Sequence, residues 1–119
     1  MTVRDVCNAL NARVLCGDDL LDKELHSACG SDLMSDVLAF VKDRAVLLTG
    51  MANAHVVRTA EMLDIVSIVF VRDKMPGNEI LDMARERGIS VLSTELTLFT
   101  ACGILYGEGL RGGGKKDSV

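Results

Sequence analysis

Three short apolar runs, each followed by a helix that is apolar on one side only, constrain this chain more than any other feature. Residues 45–49 form a run that stops at Gly50, residues 67–71 form a second, rich in β-branched side chains, and residues 89–93 form a third. After the first comes a helical stripe over residues 53–63, with Val56, Val57, Ala60 and Leu63 on one face. After the second, Pro76-Gly77-Asn78 opens a helix over residues 79–87, with Ile80, Leu81 and Ala84 turned inward and Gly88 where a C-terminal glycine belongs. A strand that is apolar on both sides needs cover on both faces. Strand alternating with helix predicts right-handed βαβ units around a parallel sheet. The expected fold is α/β, a three-layer α/β/α arrangement with a mainly parallel central sheet.

The N-terminal part is less regular. Thr2 is an N-cap candidate for a helix carrying Val3, Val6, Cys7 and Leu10 on one face, closed by Asn11. Residues 12–16 read as a strand, Gly17-Asp18-Asp19 as a turn and residues 22–28 as a second strand. Ser31 or Asp32 then caps a helix over residues 33–41, and Thr94 caps a last helix reaching about Tyr106. The domain is expected to span residues 1–110, with residues 111–119 a flexible Gly- and Lys-rich tail.

Composition removes several function classes. Aromatic residues make up 3 % of the chain and Trp is absent, so the core is aliphatic. A net charge of −4 and so few stacking rings argue against nucleic-acid binding. No apolar stretch reaches the roughly 20 residues of a membrane span. The first residues lack a basic start followed by an apolar run, which predicts a cytoplasmic protein. Cys7, Cys16, Cys29 and Cys102 form no Cys-x-x-Cys pair and read as small buried hydrophobes.

Catalytic equipment is hard to find. Residues 109–115 approximate a phosphate-binding loop, but Lys116 stands where a hydroxyl would hold Mg²⁺, and the segment follows a helix instead of preceding one. His26 and His55 have no zinc-type partner at helical spacing, and no nucleophile elbow is present. No cofactor or metal is expected. Asp32 and Asp36, one turn apart after a strand end, suit the positive end of a helix dipole.

Several segments together resemble the DRTGG domain family: residues 32–39, Leu48-Thr49-Gly50, residues 57–64, residues 68–72 and residues 102–106. The likeness covers about residues 2–110 and is closest to stand-alone members, which are similar to the N-terminal domain of HPr kinase. That resemblance implies an α/β fold and a regulatory role beside a metabolic enzyme, in some cases a hydrogenase or electron-transfer system. It implies no catalytic residue, because the kinase's own phosphate-binding loop belongs to a separate domain. Where the family name reflects Asp-Arg and Thr-Gly-Gly, this chain reads Met51-Ala52-Asn53 and Arg72-Asp73-Lys74.

The expected function is therefore non-catalytic: a module that senses a nucleotide or other small anion. The alternatives are an adaptor subunit without a ligand and, less favoured, a small kinase-like enzyme. Ligands of open α/β sheets gather beyond the C-terminal ends of the strands. Here that edge carries Ser31, Asp32, Thr49, Gly50, Asn53, Arg72 and Thr94 as candidate binding residues. Leu96, Leu98, Phe99, Ile104, Leu105 and Leu110 make the last helix apolar around more than one face, which predicts a homodimer.

Overall fold

The structure, a computed structural model, describes residues 1–41 and 43–113. Along the chain lie α1 (Val3–Ala9), β1 (Arg13–Cys16), a 3₁₀ turn (Asp18–Leu20), β2 (Ser27–Gly30), α2 (Met34–Phe40) and β3 (Ala45–Thr49). Then follow α3 (Ala54–Met62), β4 (Ser67–Phe70), α4 (Asn78–Glu86), β5 (Ser90–Ser93) and α5 (Leu98–Gly107). The sheet has five strands in the order β1-β5-β4-β3-β2. Strands β2 to β5 are parallel to one another, and β1 alone runs antiparallel, against β5.

The two-residue repeat of the strands divides the core into two layers. Leu47, Ile68, Phe70 and Val91 point to the face covered by α2, α3 and α4, where they meet Val37, Val56, Val57, Ala60, Ile80 and Ala84. Val46, Leu48, Val69 and Leu92 point to the opposite face, covered by α1 and α5, where they meet Val3, Val6, Leu10, Ala101 and Leu105. Every residue of β3, β4 and β5 is buried. Apolar burial at about 25 cal/mol per Å² is the main driving term for such a fold, and here it acts on both sides of one sheet. The expected three-layer α/β/α architecture is the one observed.

Helix ends follow local chemistry. Thr2 and Asp5 form a reciprocal capping box: Thr2 Oγ1 accepts from the Asp5 N–H at 3.1 Å, and Asp5 Oδ2 accepts from the Thr2 N–H at 2.9 Å. Asn53 caps α3 by accepting from the Val56 N–H at 3.2 Å. Gly88 takes a φ of +67° just past α4.

Three expectations need correction. The second strand is not residues 22–28 but Ser27–Gly30. Residues before it are tied to the N-terminus instead, with the Leu25 N–H donating to Met1 O at 2.7 Å and the Val3 N–H to Lys23 O at 3.1 Å. The cap of α5 is Thr97, which accepts from the Thr100 N–H. The Thr94 hydroxyl is drawn away to donate to Leu10 O at 2.9 Å, across the fold. Finally, α2 begins from Leu33 without a side-chain cap. Ser31 Oγ accepts from the Leu33 N–H at 3.0 Å, a local turn, and Asp32 bonds elsewhere.

Past α5 the chain doubles back along the outer side of β2. Leu110 is buried, and the Ala28 N–H donates to Arg111 O at 3.0 Å. The Arg111 guanidinium lies 3.9 Å from the centre of the Tyr106 ring and donates to Tyr106 O and Leu110 O, both at 2.9 Å. Part of the segment read as a tail is thus tied to the sheet. Residues 114–119, with Lys115 and Lys116 of the loop-like sequence, lie outside the described residues.

Candidate functional site

The C-terminal ends of β2, β3 and β4 meet at one rim, and hydrogen bonds fix its parts. After β2, the Ser31 N–H donates to Leu48 O at 3.0 Å, continuing the ladder one residue further. The chain then places Asp32 over the end of β3. Asp32 Oδ1 accepts from the Gly50 N–H at 2.7 Å and from the Thr49 hydroxyl at 3.1 Å. Thr49 Oγ1 in turn accepts from the Met51 N–H at 3.1 Å. A carboxylate that accepts two such bonds is held more firmly than a neutral acceptor would be. The turn from β3 into α3 is thereby set by a side chain from the loop that follows β2.

The turn after β4 is of a different kind. Arg72 and Asp73 both occupy the left-handed backbone region, with φ of 57° and 55°. Such conformations cost of order 1 kcal/mol or more for residues with a Cβ and persist only where surroundings enforce them. Here the Arg72 N–H donates to Leu96 O and the Asp73 N–H to Thr94 O, both at 2.8 Å. The Asp73 carboxylate also pairs with Arg13 at 3.0 Å. This clamp turns the Arg72 side chain back across the sheet end, onto Gly50. A Cβ at Gly50 would overlap Arg72 Nη2 and come within 3.0 Å of its Cζ and 3.4 Å of Asp32 Oδ1. Gly50 is therefore the bare spot that lets a cation and a carboxylate converge. Among the described residues, Arg72 has no carboxylate within ion-pairing distance.

Beside this rim, between the starts of α2 and α3, lies a cleft of about 370 Å³. Asp32 and Asn53 contribute polar groups to it, and Leu33, Met34, Met51 and Val56 contribute apolar ones. His55, exposed in the first turn of α3, stands at its edge.

Of the candidates drawn from the sequence, Ser31, Asp32, Thr49, Gly50, Asn53 and Arg72 come together at this rim. Thr94 joins them only through its backbone carbonyl, which holds Asp73; its side chain is buried, with the hydroxyl donating to Leu10 O. Sequence reasoning missed the cleft side chains Leu33, Met34 and Met51, which look like ordinary helix and turn residues. Their only signal was position, immediately after Asp32 and Gly50.

Burial raises the thiol pKa of Cys7, Cys16, Cys29 and Cys102 above the ordinary range. The Cys102 side chain packs over Gly30. Among the described residues, no three His, Cys, Asp or Glu side chains are grouped closely enough to hold a metal ion. Among the same residues, no helix is long and apolar enough to cross a membrane.

The DRTGG domain matches residues 5–106 of the sequence. This chain belongs to the DRTGG domain family. Among solved structures, it is similar to the CBS and DRTGG domains of the regulatory region of Clostridium perfringens pyrophosphatase, complexed with its activator, diadenosine tetraphosphate. The TM-score is 0.68 at 15 % identity, over 87 % of this chain and 45 % of that one. The chain thus spans less than half of the structure it matches, and at this identity the likeness shows the shared fold alone. No curated protein matches the sequence. Within this DRTGG domain the rim carries Met51-Ala52-Asn53 and Arg72-Asp73-Lys74.

Proposed function

We propose that this DRTGG domain is a regulatory module that binds a small phosphate- or carboxylate-bearing ligand at the strand-end rim and signals its presence to a partner enzyme. The observation that carries the reading is Arg72. Its backbone is forced into a left-handed clamp, and its guanidinium is laid over Gly50, where among the described residues no carboxylate comes within ion-pairing distance. A guanidinium presents a planar fork of donors that matches phosphate and carboxylate oxygens. The related pyrophosphatase region, a regulatory segment in complex with a polyphosphate activator, supports a sensing role.

The test is a thermal-shift and calorimetric screen of the purified chain with inorganic phosphate, phosphorylated metabolites and dicarboxylates. A ligand at one hundred times its Kd stabilises by about 2.7 kcal/mol, roughly 10 °C for a domain this size. Arg72→Ala should abolish the shift while leaving the unliganded midpoint within about 2 °C. A screen in which no anion shifts the wild-type protein refutes the proposal and leaves the ligand-free adaptor.

The exposure of α5 favours self-association as a second element of the reading. Phe99 is 88 % exposed and Tyr106 is 50 % exposed on this helix. Sedimentation of the wild type against Phe99→Glu decides it: a dimer converted to monomer supports the homodimer, and a monomeric wild type removes it.

A further inference from the structure

Building on the anion-binding reading of Arg72, we propose that the ligand is a ribonucleotide. Its base lies in the cleft between α2 and α3, its ribose hydroxyls on Asp32 and its phosphate on Arg72. The cleft, about 370 Å³, falls within the range that small-ligand sites occupy. Its walls suit a flat ring. Leu33 and Met51 are large apolar side chains left 59 % and 42 % exposed at its mouth, and a base seated between α2 and α3 would cover them. Thioethers such as those of Met34 and Met51 make favourable contacts with aromatic rings, and His55 adds a ring at the edge.

Asp32 links the apolar cleft to the cation. It lines the cleft, and its Oδ1 is 3.4 Å from the position a Gly50 Cβ would take, where Arg72 Cζ is 3.0 Å away. Arg72 is not itself part of the cleft wall. The three chemistries therefore occur in a fixed order: apolar cleft, carboxylate, guanidinium. That is the order of base, sugar and phosphate along a nucleotide. Asp32 Oδ1 accepts the two protein bonds, and among the described residues Oδ2 has no partner. A carboxylate oxygen in that state accepts hydroxyl donors, and an acidic side chain beyond a strand end is a recurrent means of holding a ribose. The larger cleft beside α1, about 560 Å³, presents Asp5 and Glu108 and would repel a phosphate.

Titration calorimetry on the full chain tests this. The probes are AMP, GMP, CMP and UMP, their 2′-deoxy counterparts, ribose 5-phosphate and inorganic phosphate. At least one ribonucleotide should bind about tenfold or more tightly than both its 2′-deoxy form and ribose 5-phosphate, the effect of one hydrogen bond to a charged group. Asp32→Asn keeps an oxygen for Gly50 and Thr49 but removes the charge from the bond to the ribose, and should reduce the ribose-to-deoxyribose difference severalfold. If that variant does not fold, the ribose-to-deoxyribose ratio of the wild type decides. Ribose 5-phosphate and phosphate binding as tightly as every ribonucleotide would overturn this inference and leave the anion site standing. An unchanged ratio in folded Asp32→Asn would overturn the placement of the sugar. Binding of none of the probes would overturn both the nucleotide and the anion site for phosphates.

Discussion

Gly50→Ala separates a bare spot kept for binding from one kept for folding. Among the described residues, positive φ in glycines occurs at Gly17, Gly88 and Gly109, not at Gly50, so the backbone accepts alanine there. Removing glycine's freedom from the unfolded chain stabilises by about 0.4–1 kcal/mol. Against that stands the overlap of the new Cβ with Arg72 Nη2. That atom is the far end of a flexible, exposed side chain, which can swing aside at little cost. The contact to Asp32 Oδ1, at 3.4 Å, is ordinary. Stability should therefore change by less than about 1 kcal/mol, or roughly 4 °C. Displacing the guanidinium removes charge-assisted bonds to the ligand, worth about 1.5–3 kcal/mol, so affinity should fall by about ten- to a hundredfold. Urea denaturation and calorimetry on the same preparation read both quantities. Gly30→Ala is the control. There the Cβ overlaps Cys102 Sγ, on a short side chain anchored in α5, and overpacking should cost about 1–3 kcal/mol. A Gly50→Ala protein destabilised by more than about 2 kcal/mol, or one that binds as tightly as wild type, would refute this account.

Other perturbations have defined outcomes. Thr94→Val leaves Leu10 O without its buried donor at 2.9 Å and should cost about 1–3 kcal/mol in the urea midpoint. A loss below about 0.5 kcal/mol would mean that the bond is replaced. Ser90→Ala deletes a buried hydroxyl that has no partner among the described residues, so it should be neutral or stabilising by about 1 kcal/mol. A clear loss of stability would show that the hydroxyl is paired in solution. Burial raises the pKa of all four thiols, so at alkaline pH the unfolded chain ionises first and the folded chain retains more protons. Stability from this source is complete below the ordinary thiol range and is lost as pH climbs through the raised folded values. The urea midpoint should be lower at about pH 10 than at about pH 7.5, with less decline in a Cys29→Ala, Cys102→Ala protein.

The parts of this fold that were legible in the sequence are those whose burial is set by nearest neighbours. Residues 45–49 were recognisable as a strand because continuous apolarity needs no distant information, and β3 occupies that range. Residues 22–28 were misread because Leu25 owes its burial to the N-terminal segment, to which its N–H is bonded. The cap of α5 was misassigned between two threonines three residues apart, since the acceptor that claims Thr94 is Leu10, 84 residues away in sequence. The candidate rim was legible from one rule about strand ends. The convergence on Gly50 was not, because it depends on two left-handed residues after β4 that no side-chain pattern announces. Leu33 and Met51 carry no polar signal, and their placement beside Asp32 required the packing of α2 against α3.

The doubling back of residues 110–113 bears on how copies of this molecule can meet. One lateral margin of the sheet is already occupied, since the outward amide of Ala28 is bonded to Arg111. The other margin is β1, which is short, has an irregular register between Val14 and Cys16, and exposes Arg13. Neither flank offers a straight, unfilled ladder to an incoming strand. Any association of copies is therefore expected through helices or through the loops at the strand ends, because the returning chain covers the β2 margin at Ala28.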